Sequence, residues 1–271
     1  MRLPQFYVDE IIKTAITEDI NYIDTSADLV IDEDDTTTAY FEAKADGVLC
    51  GLDIALRVFE LLDDGFSAKV YKKDGDKIKK GDIIADLTGH TVMLLKGERT
   101  ALNLLQHMSG IASMTNKAVR LCEGTNASVA DTRKTLPGLR SLQKYAVTVG
   151  GGRNHRYNLS DAVMLKDNHI DACGSITKAV EKVREKLGHM VKIEVETRNL
   201  DEVKEALSTG VEVIMLDNMD CDTMKTAVEM TNGKALLEAS GNITDETIAG
   251  VAKTCVDIIS KVALTQSVKA F

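Results

Sequence analysis

The residues with the clearest chemical potential lie between positions 131 and 156, in the stretch DTRKTLPGLRSLQKYAVTVGGGRNHR. Six Lys or Arg residues and one His surround a single Asp in this stretch, although the whole chain carries a formal net charge of −9. Arginine binds planar carboxylates through two parallel hydrogen bonds, and lysine supplies a compact positive charge. The segment therefore predicts a local pocket for a small anion.

Polar residues close a series of short apolar runs in the second half of the chain. The runs ASVADT, DAVMLK, VKIEVE, VEVIMLD, KALLEAS and VDIISKVAL alternate with helical stretches such as SITKAVEKVREKL and NLDEVKEALSTG. Six βα units in series predict a parallel sheet, closed into a barrel or doubly wound. In a βα barrel the C-terminal strand ends meet at one mouth, where active sites lie. The residues at these run ends are candidates for one site: Arg133, Lys166, Glu194 with Glu196, Asp217, Ser240 and the stretch 265–267.

Strand parity within VKIEVE supports a site on the inward face of this sheet. Side chains alternate along a strand, so Lys192, Glu194 and Glu196 share one face and the apolar residues share the other. Glu194 and Asp217 beside several bases suit a magnesium ion chelated by a polyphosphate, because Mg²⁺ binds through few carboxylates plus substrate phosphates. The bases are Arg133, Lys134, His155, Arg156 and Lys166.

The first part of the chain has a different pattern. Residues 36–50 alternate like a strand, and AKVYKKDGDKIKKGDIIADLTG predicts further strands bent by Asp-Gly and Lys-Gly turns. LDIALRVFELLDD has the spacing of an amphipathic helix. From Gly97 to Gly124 the sequence is apolar on nearly every face, which predicts a helix buried between domains or subunits. We predict a small α/β domain over residues 1–105 and a catalytic domain over residues 106–271.

Composition excludes several classes of protein. At 271 residues with 44% hydrophobic content the chain can bury a sizeable core. Neither a 20-residue apolar run nor a signal peptide is visible, so we expect a cytoplasmic protein that does not contact membranes. Five cysteines without a CxxC pair predict neither disulfides nor a zinc site. A pI near 5.2 disfavours nucleic-acid binding, which needs a basic surface.

Longer motifs carry a resemblance to a known family. ERTALNLLQHMSGIA, the block from DTRKTLPG through GGGRNHR to KDNHI, and then IEVE, IMLDN and LEASG resemble quinolinate phosphoribosyltransferase, also called nicotinate-nucleotide pyrophosphorylase (decarboxylating). The similarity runs over nearly the whole chain and is densest over residues 97–170. It implies an N-terminal open α/β sandwich, an α/β barrel of the seven-stranded kind, and a homodimer with shared active sites or a higher oligomer.

The resemblance also implies an activity and places residues around the acceptor substrate. The reaction converts quinolinate and phosphoribosyl pyrophosphate to nicotinate mononucleotide, pyrophosphate and carbon dioxide in NAD biosynthesis, with Mg²⁺ as cofactor. The family pattern places Arg133, His155 and Arg156 at the quinolinate carboxylates. Lys134 and Lys166 line the same pocket towards the phosphoribosyl donor.

Further residues follow from the resemblance on the donor side. Arg99, in GERT, is expected to reach in from the partner subunit. Glu194 and Asp217 are expected to face the ribose and its magnesium, and with Lys134 and Lys166 they form the predicted catalytic set. The predicted phosphate contacts are Ser240 and Gly241, at a helix N-terminus, and Gln266.

The chain departs from the family pattern at the phosphate end. Val262 stands where the family has glycine, Gln266 where histidine is common, and Asn242 follows Gly241 where a second glycine is usual. A β-branched residue removes the freedom with which a glycine backbone approaches phosphate. We expect Val262 to weaken donor binding and Lys261 to supply a compensating charge.

Other interpretations remain open at this level. Arg140 and Lys144 are spaced four apart, which is typical of a solvated helix face. His107 and His169 have no assigned role, and Asp217 could cap the following helix. The chain could also be a redirected or non-catalytic homologue that senses a pyridine carboxylate or nucleotide, an enzyme that uses nicotinate directly, or a protein whose KKDGDKIKKGDIIADL segment forms a lipoyl-type carrier hairpin.

Overall fold

The computed structural model describes residues 3–271 and divides them into two compact units. The first unit contains residues 3–116, 135–151 and 264–271, and the second contains residues 117–134 and 152–263. The long helix α4 (Thr91–Leu121) passes from the first unit into the second. The boundary predicted at residue 105 lies inside this helix, and as a division into domains it stays a prediction.

The first unit is built from a small antiparallel sheet and helices. Its central sheet has the order β1-β5-β3, and β2 pairs with β4 in a separate two-stranded sheet. In chain order the elements are α1 (Gln5–Asp19), α2 (Ala27–Val30), β1 (Thr36–Glu42), β2 (Gly47–Val48), α3 (Leu52–Leu62), β3 (Ser67–Val70), β4 (Lys77–Ile78), β5 (Ile83–His90), the first part of α4, and then α5 (Arg140–Val149) and α11 (Ala263–Gln266), whose first residue belongs to the second unit.

Local sequence explains the turns and helices of this unit. Gly75 and Gly81 have φ angles of 91° and 92°, a left-handed conformation that glycine adopts without strain, and they end the two turns predicted around β4. The predicted amphipathic helix is α3, which buries six residues including Phe59. The helix predicted from Gly97 begins earlier, at Thr91, because β5 runs almost directly into α4.

The second unit is built around a parallel sheet. Its six strands have the order β6-β11-β10-β9-β8-β7, and every neighbouring pair is parallel. A single parallel bridge between Ala130 and Arg153 adds a seventh short segment beside β6. The elements are β6 (Ser128–Ala130), β7 (Val163–Leu165), α6 (Asp167–Cys173), α7 (Ile176–Arg184), β8 (Ile193–Thr197), α8 (Leu200–Ser208), β9 (Val213–Asp217), α9 (Cys221–Thr231), β10 (Leu236–Ser240), α10 (Ile248–Ala252) and β11 (Ile258–Ser260).

Alternation along the strands divides each strand into an apolar face and a more polar face. Ile193 and Val195 of β8 are almost completely buried, and Glu194 and Glu196 lie between and beyond them on the other face. The helices between strands begin at side-chain caps: Ser175, Asn199 and Asp220 accept hydrogen bonds from backbone N–H groups of α7, α8 and α9, respectively. The fold class predicted from the sequence is confirmed.

Three further predictions have outcomes here. All five cysteines are free thiols, and within residues 3–271 no helix is both long and apolar enough to cross a membrane. The solvated face predicted for Arg140 and Lys144 is wrong for Lys144, which is 1% exposed. The reason is that α5 also buries Leu142, Gln143 and Val147, so its packed surface is wider than one apolar stripe.

Candidate active site

Several of the predicted residues meet at the C-terminal ends of the parallel strands. Leu165 pairs with Val195, so the next residues on β7 and β8, Lys166 and Glu196, stand side by side. The Lys166 ammonium nitrogen lies 2.6 Å from a carboxylate oxygen of Glu196. On the neighbouring strands Asp217 pairs with Ser240. These strand ends therefore form the mouth that the sequence predicted.

Glu194 lies at a different level of the sheet. It pairs with Val213, the first residue of β9, whereas Asp217 is the last residue of that strand. Four residues of strand correspond to about 13 Å. Glu194 and Asp217 therefore do not face one ion, and the metal pair predicted from the sequence does not fit the register. Glu196, two residues further along the same face, is the acidic neighbour of Lys166 at the mouth.

The side chain of Glu194 instead contacts His155 and Glu238. The Nε2 atom of His155 lies 3.0 Å from an oxygen of Glu194 and 3.4 Å from an oxygen of Glu238. The side chains of His155, Glu194 and Glu238 are 12%, 8% and 2% exposed, respectively. Ligand atoms of the three residues lie within 4.8 Å of one another, a spacing that could also hold a metal ion.

Burial changes the protonation of this cluster. Desolvation, followed by the charge of Glu194, raises the pKa of the Glu238 carboxyl to about 7, against a weaker opposing effect of His155. Two adjacent carboxylates in a low-dielectric interior cannot both stay charged without a nearby cation. The Glu238 carboxyl therefore keeps its proton to a higher pH than an ordinary glutamate does.

A cavity of about 460 Å³ opens towards this cluster from the opposite end of the strands. Its walls include the first residues of four strands and Lys192, which precedes β8. His155, Arg156, Glu194 and Glu238 also line it. The cavity therefore enters at the N-terminal ends of the strands, whereas Lys166, Asp217 and Ser240 lie at the C-terminal ends.

The two arginines predicted to bind the acceptor lie within electrostatic reach of each other. Burial, followed by the positive charge of Arg133, lowers the pKa of Arg156. One guanidinium nitrogen of Arg156 donates a hydrogen bond to the Ala162 carbonyl oxygen at 2.8 Å. Two guanidinium groups held in mutual repulsion favour an anion near both of them. An affinity for a small anion is what the basic segment of the sequence predicted.

Three further predicted residues are exposed. Lys134, in the second unit, is exposed, and its backbone N–H donates to the Thr132 hydroxyl. Arg99 is an exposed residue of α4, and Gln266 is an exposed residue of α11, both within the first unit. Their predicted roles stay predictions.

The loop after β10 contains the predicted phosphate contacts. Ser240 and Gly241 are followed by a loop, and α10 begins only at Ile248, so the predicted position at a helix N-terminus is wrong. Gly241 has a φ of 89°, and a Cβ atom there would come within 2.3 Å of the Asn218 side chain. Asn218 is held in turn by Asn242, whose amide donates to its Oδ1 atom at 2.9 Å. Backbone and amide groups therefore surround this loop.

Two departures from the family pattern, Asn242 and Val262, differ in backbone conformation. Asn242 has a φ of 49°, a left-handed conformation that asparagine tolerates better than most non-glycine residues and that glycine also adopts. Val262 does not adopt a positive φ. The ammonium group of Lys261 is buried and pairs with Asp245, which also binds Lys117 at 2.7 Å. Lys261 is therefore committed to this ion pair and does not supply the compensating charge expected of it.

The residues whose roles the sequence left undecided have defined contacts in the structure. His107 lies 2.9 Å from the amide nitrogen of Gln143, and His169 accepts a hydrogen bond from the backbone N–H of Lys166 at 3.0 Å. The helix after β9 is capped by Asp220, whose side chain accepts from Thr223. Asp217 is therefore not the cap, and it accepts a hydrogen bond from the neighbouring Asn218 side chain.

Two acidic residues near the site are absent from the predicted catalytic and metal-binding sets. Glu196 is a run-end candidate in the sequence, and the signal that distinguishes it from Glu194 is its position closer to the C-terminal end of the run. Glu238, in LEASG, lies two residues before the end of its strand. Its side chain is on the same face of the sheet as that of Glu194. Strand parity applied to both runs would have found the pair.

The second unit has a parallel sheet of the barrel type, and charged residues lie at its strand ends. The fold and these residues define a class of α/β enzymes that bind small anions. Comparison with known proteins identifies the family within this class. The sequence profiles of the quinolinate phosphoribosyl transferase N-terminal and C-terminal domains match residues 22–109 and 111–271. The chain belongs to the quinolinate phosphoribosyl transferase family.

Individual relatives agree with this assignment. A probable nicotinate-nucleotide pyrophosphorylase (carboxylating) of Bacillus subtilis is 46% identical over 253 residues, which cover 93% of this chain and 87% of that protein. A chloroplastic nicotinate-nucleotide pyrophosphorylase (carboxylating) of Arabidopsis thaliana is 42% identical over 98% of this chain and 82% of its own length. The crystal structure of NadC from Streptococcus pyogenes superposes with a TM-score of 0.97 at 42% identity, covering 100% of this chain and 96% of that one.

The left-handed conformation of Asn242 gives a prediction about the phosphate loop. Asn242→Gly keeps the backbone conformation and loses only the hydrogen bond to Asn218, so we expect a loss of unfolding free energy of about 1 kcal/mol or less. Asn242→Val forces a β-branched residue into a strained conformation, which costs about 1–3 kcal/mol. Denaturant unfolding of both variants measures the difference. Equal losses would contradict this account of Asn242.

The raised pKa of Glu238 gives a prediction about pH and stability. The unfolded chain releases this proton near the ordinary value of 4.5, whereas the folded protein keeps it to about pH 7. The folded state therefore binds more protons in this window, and stability falls as the pH rises through it. Relative to Glu238→Gln, we expect the unmodified protein to lose on the order of 3 kcal/mol between about pH 4 and pH 8.

Denaturant unfolding at the two pH values checks this expectation. The control is Glu229→Gln, which changes an exposed glutamate of α9. A difference between Glu238→Gln and the unmodified protein that is the same at both pH values would show that Glu238 does not carry the proton.

Proposed function

We infer that this chain is a quinolinate phosphoribosyltransferase that converts quinolinate and phosphoribosyl pyrophosphate to nicotinate mononucleotide, pyrophosphate and carbon dioxide in NAD biosynthesis. Family membership over nearly the whole chain supports the reaction. The single structural observation that carries it is Arg156, a half-buried guanidinium that lines the cavity and whose pKa is lowered by burial and then by the positive charge of Arg133. Adjacent carboxylates, as in quinolinate, are the natural counter-ions of these two arginines.

The acceptor is bound by charge-assisted hydrogen bonds. Each such bond contributes about 1.5–3 kcal/mol net, so several are needed to remove a dianion from water. Arg133 and Arg156 bind the two carboxylates, and Lys134 extends the positive surface towards the donor. Holding the pyridine nitrogen close to C1 of the ribose turns an encounter of two molecules into a reaction within one complex.

The chemistry follows from the charges that develop. Negative charge accumulates on pyrophosphate as its bond to C1 of the ribose breaks, and the ammonium group of Lys166 lies at the mouth to neutralise it. Attack by the pyridine nitrogen forms the new bond to C1 and leaves a cationic ring. The electron pair of the breaking bond to the 2-carboxylate stays on ring carbon 2, where the adjacent cationic nitrogen stabilises it, so carbon dioxide leaves without an organic cofactor. A proton from water then takes the place of the lost carboxylate.

Magnesium is the expected cofactor, and the mouth fits it in part. Mg²⁺ bound to the donor's pyrophosphate would supply additional neutralisation of the leaving group. Asp217 and Glu196 are the carboxylates at the C-terminal strand ends that would face such a complex, and Glu196 is already paired with Lys166. Glu194 is too far along the sheet to join Asp217.

The assembly and location of the protein are further parts of the proposal. The apolar character of α4 and the exposed Arg99 in its first third support a homodimer in which Arg99 completes the partner's site. The proposed location is the cytoplasm, whereas plant relatives are named chloroplastic or mitochondrial. The sensor alternative receives no support, because the relatives named above are pyrophosphorylases.

Specificity for a dicarboxylate tests the acceptor site. We expect release of labelled carbon dioxide from quinolinate only when phosphoribosyl pyrophosphate is present, and loss of most activity after Mg²⁺ is chelated. Nicotinate should react poorly, because it has one carboxylate fewer to bind to the two arginines. Arg156→Lys should weaken quinolinate binding by about tenfold, since a bidentate contact is lost. Comparable turnover of nicotinate would contradict the two-arginine site.

The shared site can be tested by mixing subunits. Arg99→Ala and Lys134→Ala should each be inactive alone. If Arg99 acts across the interface, a mixed dimer contains one site with neither substitution, and mixing should restore up to about a quarter of the activity per site by random pairing. Subunit exchange is verified with differently tagged chains. A mixture that stays inactive after exchange would exclude a site shared in this way.

A further inference from the structure

The position of the His155 ring is fixed by contacts on both nitrogens. Its Nδ1 atom accepts a hydrogen bond from the backbone N–H of Arg156 at 2.7 Å. An accepting Nδ1 carries no proton, so in the neutral ring the proton is on Nε2. A carboxylate oxygen of Glu194 lies 3.0 Å from the Nε2 atom, and one of Glu238 lies 3.4 Å from it. The ring is therefore a link between two buried acids and the backbone of Arg156.

The same contacts argue against a metal ion in this cluster. A histidine that binds a metal through Nε2 normally donates a hydrogen bond from its other ring nitrogen. Here Nδ1 accepts one, so metal binding would require the ring to give up its contact with Arg156. The spacing of His155, Glu194 and Glu238 is compatible with an ion, but the hydrogen bonds favour a proton on Nε2.

The backbone before the ring is held as firmly as the ring itself. Arg153 forms the parallel bridge to Ala130, and the backbone N–H of His155 donates to Asp131 at 2.8 Å. Asp131 is fully buried. Residues 153–156 are therefore tied to β6 through their backbone and to β8 and β10 through the His155 ring. Arg156 is the next residue, and its direction depends on this anchoring.

We propose that Glu194 is a positioning residue of the acceptor site: its carboxylate accepts the His155 Nε2 proton, which fixes the ring and so the backbone of Arg156. The carboxylate of Glu238, which lies near the same Nε2 atom, helps to fix the ring. This inference rests on the proposed function, because Arg156 binds the acceptor there. It gives Glu194 a role that needs its hydrogen-bond acceptor and does not need its charge.

Two substitutions separate this role from metal binding. Glu194→Gln keeps an acceptor oxygen and removes the charge, whereas Glu194→Ala removes both. We expect the KM for quinolinate to rise about tenfold in Glu194→Ala and to stay within about threefold of the unmodified enzyme in Glu194→Gln, with the KM for phosphoribosyl pyrophosphate unchanged in both. The control is Glu229→Gln on the exposed face of α9.

Other outcomes would overturn the proposal. A magnesium ligand at Glu194 predicts that Glu194→Gln raises the Mg²⁺ concentration needed for half-maximal rate, together with the KM for the donor. A purely structural role predicts that Gln and Ala lower stability and change both KM values alike. Thermal unfolding of each variant identifies the second case.

A measurement that does not need activity keeps the inference separate from the proposed function. Nitrogen NMR of the imidazole groups reports which ring nitrogen carries the proton and how fast that proton exchanges with water. We expect the His155 proton on Nε2 in all three proteins, because the Arg156 N–H occupies Nδ1, and an Nε2 proton that exchanges slowly in the unmodified protein and in Glu194→Gln but rapidly in Glu194→Ala. An Nε2 proton that exchanges equally slowly in Glu194→Ala would overturn the positioning role. An enzyme without activity on quinolinate would instead contradict the proposed function.

Discussion

The alternation of side chains along parallel strands is the constraint on which the rest of the second unit depends. Each strand must present apolar residues to the covering helices, as Val195 and Ile214 do with no measurable exposure. The other face is then available for polar groups, and the inner residues of β8 and β10 include Glu194, Glu196 and Glu238. The site is a consequence of this division, because catalytic groups occupy positions that the core does not need.

The same alternation separates two levels within the interior. Groups at the C-terminal strand ends, such as Lys166 and Asp217, are exposed or half-buried and can exchange with substrate and water. Groups two or more residues lower, such as Glu194 and Glu238, are almost fully buried. Burial raises the cost of charge, so the lower groups share protons and hold neighbours in place, while the upper groups can carry charge to a substrate.

The phosphate end of the site shows how a chain can depart from its family without losing the local backbone. Asn242 occupies a left-handed conformation that suits glycine, and its side chain also supports Asn218 beneath Gly241. Lys261 lies next to the substituted position, yet its charge is balanced by Asp245 rather than offered to a ligand. Side-chain direction, more than proximity in sequence, decides which groups can serve the site.

The sequence by itself determined the alternation of strands and helices through most of the second unit, and the helix α3, because local periodicity and turn residues depend on neighbours within a few positions. It also indicated the basic segment and the acidic strand ends. Only the tertiary structure decided that Glu194 meets His155 while Glu196 meets Lys166, since two acids on one strand face have the same parity. It likewise decided that Lys144 is buried, because burial depends on every element that packs around a helix and not on the helix alone.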